Sequence, residues 1–253
     1  MYRILLFLLL TVPLTGHGFD HSDWEAALIK FVDDKGFVDY DKLLANRDQF
    51  DRYLQKIKTQ GPNSTPELFK SRADELAYYI NAYNALVFEG VINRGPERKS
   101  VWRGLISGLN FFTLMDVELD GDTTTLKKLE DDIIRAIYKD PRIHAAINCA
   151  SVSCPRLRRE AYSGEHLERQ LDESIREFVT SPAHLMREGD TVYISKIFDW
   201  FEEDFVKTFP GASDAESVIN YINAYRPADD KLPQDIDVEY LDYDKSINAQ
   251  PRP

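Results

Sequence analysis

The sequence predicts an α+β fold, with a helical layer packed on a small, largely antiparallel sheet. Three observations carry that expectation. Amphipathic helical patterns fill the first half of the chain. The extended segments of the second half are few, short and interleaved with helices. An Asp120-Gly121 pair between two extended stretches, Phe112 to Leu119 and Asp122 to Thr124, marks a hairpin turn.

The first element is not part of the fold. Arg3 precedes an apolar run from Ile4 to Leu10, which continues loosely to Leu14, and Gly16-His17-Gly18 follow. This is the n-region, h-region and small-residue cleavage pattern of an export signal. The apolar stretch of about 12 residues falls short of the ~20 needed to span a bilayer. The expectation is a signal peptide over 1–18, cut after Gly18, and one globular domain over 19–253 with no transmembrane span, working in a periplasm or outside the cell. No cysteine sits near the cut, which argues against a lipoprotein.

The mature domain divides into a helical N-terminal part, 19–72, and a core, 73–248. His21 to Val32 reads as a helix with Trp24, Ala27, Leu28 and Phe31 on one face. Lys42 to Thr59 reads as one long helix ended by Gly61-Pro62-Asn63. Ser64-Thr65-Pro66-Glu67 opens another. Ala73 to Asn93 is apolar nearly all round and is expected at the centre. Asn81 and Asn84 within it must find hydrogen-bond partners, and neighbouring backbone is the expected one. Leu126 to Tyr138, Gly164 to Thr180, Lys196 to Thr208 and Ala212 to Tyr225 read as helices. Ile143 to Cys149, Thr191 to Ser195 and Asp237 to Tyr243 read as strands.

The formal charge is −12, becoming −13 when Arg3 is removed with the signal. Nucleic acid and anionic membrane surfaces both require clustered Lys and Arg, so neither is an expected partner. At 43% hydrophobic and 12% aromatic the chain can bury a sizeable core. No G-x-S-x-G elbow or phosphate loop is present, and no cofactor is expected. The acid runs Glu130-Asp131-Asp132 and Glu202-Glu203-Asp204 could pair for glycoside hydrolysis but read better as solvated helix faces. His166 and His184 read as exposed, and Ser195-Lys196 as a helix cap.

The chemistry concentrates in Arg142 to Pro155, which holds His144 and both cysteines of the chain, Cys149 and Cys154. A histidine near a cysteine can lower the thiol pKa and create a nucleophile. A strand ending at Cys149 among small residues could also free backbone N–H groups for an oxyanion. In an ideal strand, however, positions five apart face opposite ways. A Cys149–Cys154 disulfide and a buried thiol beside a core histidine are the competing readings. Two cysteines and one histidine at this spacing fit no strong zinc pattern, so no metal is expected.

The same residues resemble the domain of unknown function 547 family. Five blocks in order carry the resemblance: Tyr79 to Leu86, Leu129 to Arg135, Pro141 to Pro155, Ser195 to Trp200 with Asp204-Phe205, and Tyr243 to Asn248. That family is similar to papain-like and transglutaminase-like cysteine enzymes with elements reordered. The resemblance implies a Cys149–His144–Glu130 triad, in which Glu130 orients His144 and His144 activates Cys149. Asn81, Asn84 and Asn148 would serve as amide donors near the oxyanion. The family tolerates a residue other than cysteine at the position of Cys154, which favours Cys149 as nucleophile. It often has Gly where this chain has Ala150, and Trp where this chain has Lys245. The implied activity is acyl transfer on peptide, isopeptide or related amide bonds of a peptide or protein substrate. The alternative is a binding or assembly module in which the two cysteines are bridged or buried.

Overall fold

A computed structural model describes residues 18–95, 99–102, 109–206 and 217–251. The expected signal peptide, apart from Gly18, lies outside these residues, as do the end of the expected 196–208 helix and the start of the expected 212–225 helix. Helix α1 (Ser22–Phe31) buries the predicted stripe of Trp24, Ala27, Leu28 and Phe31. The expected long helix is two, α2 (Tyr40–Ala45) and α3 (Asp48–Thr59). Asn46 separates them, its side-chain amide donating to the Lys42 carbonyl and competing with the helix ladder. The Pro66–Leu68 segment makes only one 3-10 turn.

Helix α4 (Arg72–Arg94) is the axis of the molecule. Ser71 caps it by accepting from the Asp74 N–H, and Gly95, at φ 89°, ends it. Its buried positions run almost without interruption from Leu76 to Ile92, because other elements enclose it on every side. Strands β1 (Asp116–Leu119) and β2 (Asp122–Thr125) follow the short helix α5 (Leu109–Phe112) and pair antiparallel through the predicted turn. Asp120 and Gly121 both adopt positive φ there, 56° and 83°. The Asp120 carboxylate also ties the hairpin to the N-terminal helices, accepting from the N–H groups of Asn63 and Ser64 at 2.8 Å each.

The predicted helix over Leu126 to Tyr138 forms as α6 (Leu126–Lys128), a π-helical stretch (Leu129–Arg135) and α7 (Ala136–Tyr138). Such widened turns occur often at functional sites. The predicted strand Ile143 to Cys149 is instead a buried 3-10 helix, Pro141–Ala145, running into a turn. Asp140 caps it by accepting from the Arg142 N–H, and the Ala146 and Ile147 N–H groups both return to the Ile143 carbonyl. A short apolar run is compatible with burial in either geometry, and here the cap and Pro141 select the coil.

The C-terminal layer contains α8 (Leu167–Thr180), β3 (Leu185–Glu188), β4 (Thr191–Ile194), α9 (Ile197–Trp200), α10 (Glu202–Val206), α11 (Val218–Tyr225) and β5 (Asp237–Tyr240). Strand β4 pairs antiparallel with β3 and parallel with β5. The fold is therefore α+β with small, mostly antiparallel sheets, as expected. Strand β3 was not anticipated: His184 to Glu188 is polar enough to read as loop. His184 itself is buried against Phe178, 4.7 Å between rings, and not exposed as expected. Two hydrophobic clusters result, one around α4 and one around α8 to α11. The 3-10 segment lies between them, with Ile143, Ala146 and Ile147 in the first and Ala145 in the second.

Candidate functional site

A cavity of about 390 Å³ opens where the two clusters meet. Tyr83, Trp102 and Ile147 line it from the first cluster, and Ile197 and Phe201 from the second. Cys149, Cys154, His144 and Glu130 all face it. The bent backbone between His144 and Cys149 therefore brings them to one chamber, which a straight strand would not have done.

The loop carrying Cys149 is braced from three directions. Asn84 donates to the Ala146 carbonyl and accepts from the Asn148 N–H. Asn148 donates to the Pro155 carbonyl and accepts from the Ala150 N–H. Asn248 reaches Asn148 at 3.3 Å, and the C-terminal segment bonds the loop backbone at Ala150 and Val152. Asn81 makes the same two-way bond to Tyr162. Asn81 and Asn84 thus spend their amides on backbone, as expected, and so does Asn148; Asn84 and Asn148 hold the Cys149 loop and Asn81 holds Tyr162, instead of presenting donors to an oxyanion as the resemblance implied. This bracing keeps Ala150 at φ 59°, a region that costs a residue with a Cβ.

The sulfur of Cys149 has three polar neighbours. Cys154 Sγ lies at 2.7 Å, Tyr243 Oη at 3.3 Å and Ser151 Oγ at 3.5 Å. Both cysteines are free thiols. Tyr243 also reaches Cys154 Sγ at 3.2 Å, so its hydroxyl bridges the pair. Cys149 is half-buried and Cys154 buried. The hydrogen bond with Cys154, and after it those with Tyr243 and Ser151, hold the Cys149 thiol below the ordinary range against the effect of burial. Burial and the adjacent sulfur push Cys154 far up. The two sulfurs therefore share one favourable position for negative charge, and it falls on Cys149, the more exposed of the two.

The expected triad is not joined as the resemblance implied. Among the described residues, no hydrogen bond links Cys149 to His144. The acid on His144 is Asp204, 2.7 Å from Nε2, and not Glu130. Asp204 also receives Arg135 Nε at 2.6 Å. Burial opposes ionisation of Asp204, but the bonds from His144 and Arg135 bring it down to about 2. With Asp204 ionised, Nε2 of His144 carries the hydrogen. Burial holds His144 below its ordinary value, so the ring is neutral. It stacks on Phe201 at 4.2 Å. The Glu202-Glu203-Asp204 run is thus not wholly a solvated face: Asp204 turns inward.

Glu130 instead accepts from the Tyr83 hydroxyl at 2.9 Å. The π-helical stretch presents it to the cavity, while Asp131 turns to Arg135 and Lys127. Burial outweighs the Tyr83 bond and raises Glu130 from 4.5 to about 7. Ahead of α9, whose first flanking residue is Lys196, Ser195 Oγ accepts from the Ile197 N–H at 3.3 Å. The remaining wall is aromatic: Trp200 lies 4.7 Å from Tyr243 and 6.4 Å from Trp102, whose indole N–H donates to Ser151. Lys245 places its ammonium 4.9 Å over the Trp102 ring.

Asp204 and Tyr243 are the site residues the sequence reading left without a role. Their signal lay in the fourth and fifth blocks, which lie about 60 and 94 positions from their partners. No local spacing rule connects such residues. Among the described residues, no group of three His, Cys, Asp or Glu side chains converges as a metal site, and no helix is long and apolar enough to cross a membrane.

No curated protein and no solved structure matches the chain. One family model does, over residues 67–179, described as "Protein of unknown function, DUF547". That span covers α4, the π-helical stretch, His144 and both cysteines, and stops short of Asp204 and Tyr243. The segment carrying the thiols and the imidazole is thus similar to DUF547, a family whose description assigns no activity.

Proposed function

We propose that the chain is an exported thiol hydrolase or acyltransferase, acting on peptide, isopeptide or related amide bonds with Cys149 as nucleophile. The likeness to papain-like and transglutaminase-like enzymes belongs to this reading. One observation supports it above the rest: a half-buried sulfur with three polar neighbours at the wall of a 390 Å³ cavity. Tyr243 and Cys154 take over the thiolate-stabilising task that the triad gave to His144. The thiolate attacks the acyl carbon and forms a thioester. Glu130, which exists in both protonation states near neutral pH, protonates the leaving amine. The neutral His144, fixed by Asp204, lines the same chamber and polarises the incoming water or amine. The aromatic wall favours an apolar or aromatic acyl group.

The test is alkylation of the reduced protein by iodoacetamide across a pH series, followed by acylation with an activated ester. The expected result is a single adduct at Cys149 with a midpoint below the ~8.5 of a free cysteine, raised by Tyr243→Phe, and an acyl group trapped on Cys149. A midpoint at or above that of a free cysteine sinks the nucleophile. Normal alkylation without acylation sinks the acyl-transfer step and leaves a binding or assembly module. Export predicts a mature chain beginning at Phe19, read from its intact mass after expression with the full sequence.

A further inference from the structure

We propose that Cys149 and Cys154 form a working dithiol–disulfide couple, in which the more exposed Cys149 exchanges with small or peptidyl disulfides and the buried Cys154 resolves the mixed disulfide. This activity shares with the acyl-transfer reading only that Cys149 is the reactive sulfur.

Geometry carries the inference. The two sulfurs are 2.7 Å apart, roughly 0.7 Å beyond the ~2.05 Å of a formed bond, so closure needs little motion. The loop between them already turns back on itself: the Cys154 N–H bonds the Ser151 carbonyl at 3.0 Å, and the Cys149 N–H points at Cys154 Sγ at 3.2 Å. Exposure divides the labour. Both sulfurs border the cavity, but Cys149 is the more exposed, whereas Cys154, 6% exposed, offers an external disulfide much less surface while lying in reach of Cys149. Tyr243 lies within 3.3 Å of both sulfurs and can donate its hydroxyl hydrogen to whichever carries charge. The unequal proton affinities of the two thiols agree with this division.

The exchange balances as follows. The Cys149 thiolate attacks one sulfur of RSSR, forming Cys149–S–S–R and expelling RS⁻, which takes the proton Cys149 released. The Cys154 sulfur then loses its proton and attacks Cys149 Sγ, forming the Cys149–Cys154 bond. The second RS⁻ leaves and takes that proton. Two protein thiols are oxidised to one disulfide, and one RSSR is reduced to two RSH. The oxidant is therefore a disulfide, and the oxidised couple withdraws the acyl-transfer nucleophile.

The test incubates the reduced mature protein with glutathione disulfide and follows intact mass after acid quenching. The wild type should pass through one glutathione adduct and end as an adduct-free form lighter by two hydrogens, restored by excess reduced glutathione. Cys154→Ser should stop with glutathione on Cys149. Cys149→Ser should react roughly tenfold or more slowly, because its remaining thiol is buried. A wild type that keeps a stable adduct, or never loses the two hydrogens, overturns the couple. That result needs no variant, so misfolding of a variant cannot obscure it. Iodoacetamide labelling of the reduced wild type reports Cys149 reactivity separately, so the couple can fail while the nucleophile stands.

Discussion

Glu130→Gln offers the most quantitative perturbation of the site. In the folded protein Glu130 holds its proton up to about pH 7, against 4.5 ordinarily. Below pH 4.5 the carboxyl is neutral in both folded and unfolded chains and costs nothing. Between 4.5 and 7 the unfolded chain ionises first, so stability falls as pH rises. Above 7 the penalty is complete. The two values differ by about 2.5, and each tenfold in proton affinity is worth about 1.4 kcal/mol, which sets an upper bound of about 3 kcal/mol. The side chain is half-buried, and solvent reaching it brings the expected figure to about 2 kcal/mol. Gln is neutral at every pH and can still accept from Tyr83. The variant should therefore match the wild type at pH 4 and exceed it by about 2 kcal/mol at pH 8. Urea unfolding of both proteins at half-unit pH steps measures this, and all other titrations cancel in the difference. A difference that stays flat from pH 4 to 8 would refute the assignment of Glu130 as a group protonated near neutral pH.

Other perturbations follow the same reasoning. Asp204→Asn removes the carboxylate shared by His144 and Arg135 and should cost about 2 kcal/mol at pH 7. Because Asp204 titrates at about 2 in the fold and 3.8 ordinarily, that difference should vanish as pH falls through this window, read by urea unfolding at pH 2 to 7. Asp120→Ala deletes the acceptor for Asn63 and Ser64 and places Ala at φ 56°, so it should lose about 3 kcal/mol, while Asp120→Asn should lose about 1. Ala150→Gly relieves the positive φ beside the nucleophile and should gain about 0.5 kcal/mol with alkylation of Cys149 unchanged; a loss above 1 kcal/mol would show that the Ala150 methyl is needed for packing.

Much of the fold was legible because its cause is local. The burial stripe of α1, the enclosed character of α4 and the Asp120-Gly121 hairpin all depend on residues a few positions apart. Where local evidence was ambiguous, the reading failed: Ile143 to Cys149 has the apolar content of a strand, but capping by Asp140 coils it. Asn46, one residue in a long helical pattern, divided α2 from α3.

The site divides along the same line. The sequence by itself determined which atoms could do chemistry, since Cys149, Cys154 and His144 crowd one short segment among small and apolar neighbours. Only the tertiary structure decided what each would do. Asp204 and not Glu130 meets His144, Tyr83 holds Glu130, and Tyr243 bridges the sulfurs. Hydrogen bonds and proton affinities depend on distances of a few ångströms and on exclusion of water, and those distances are set by helices that pack from far along the chain.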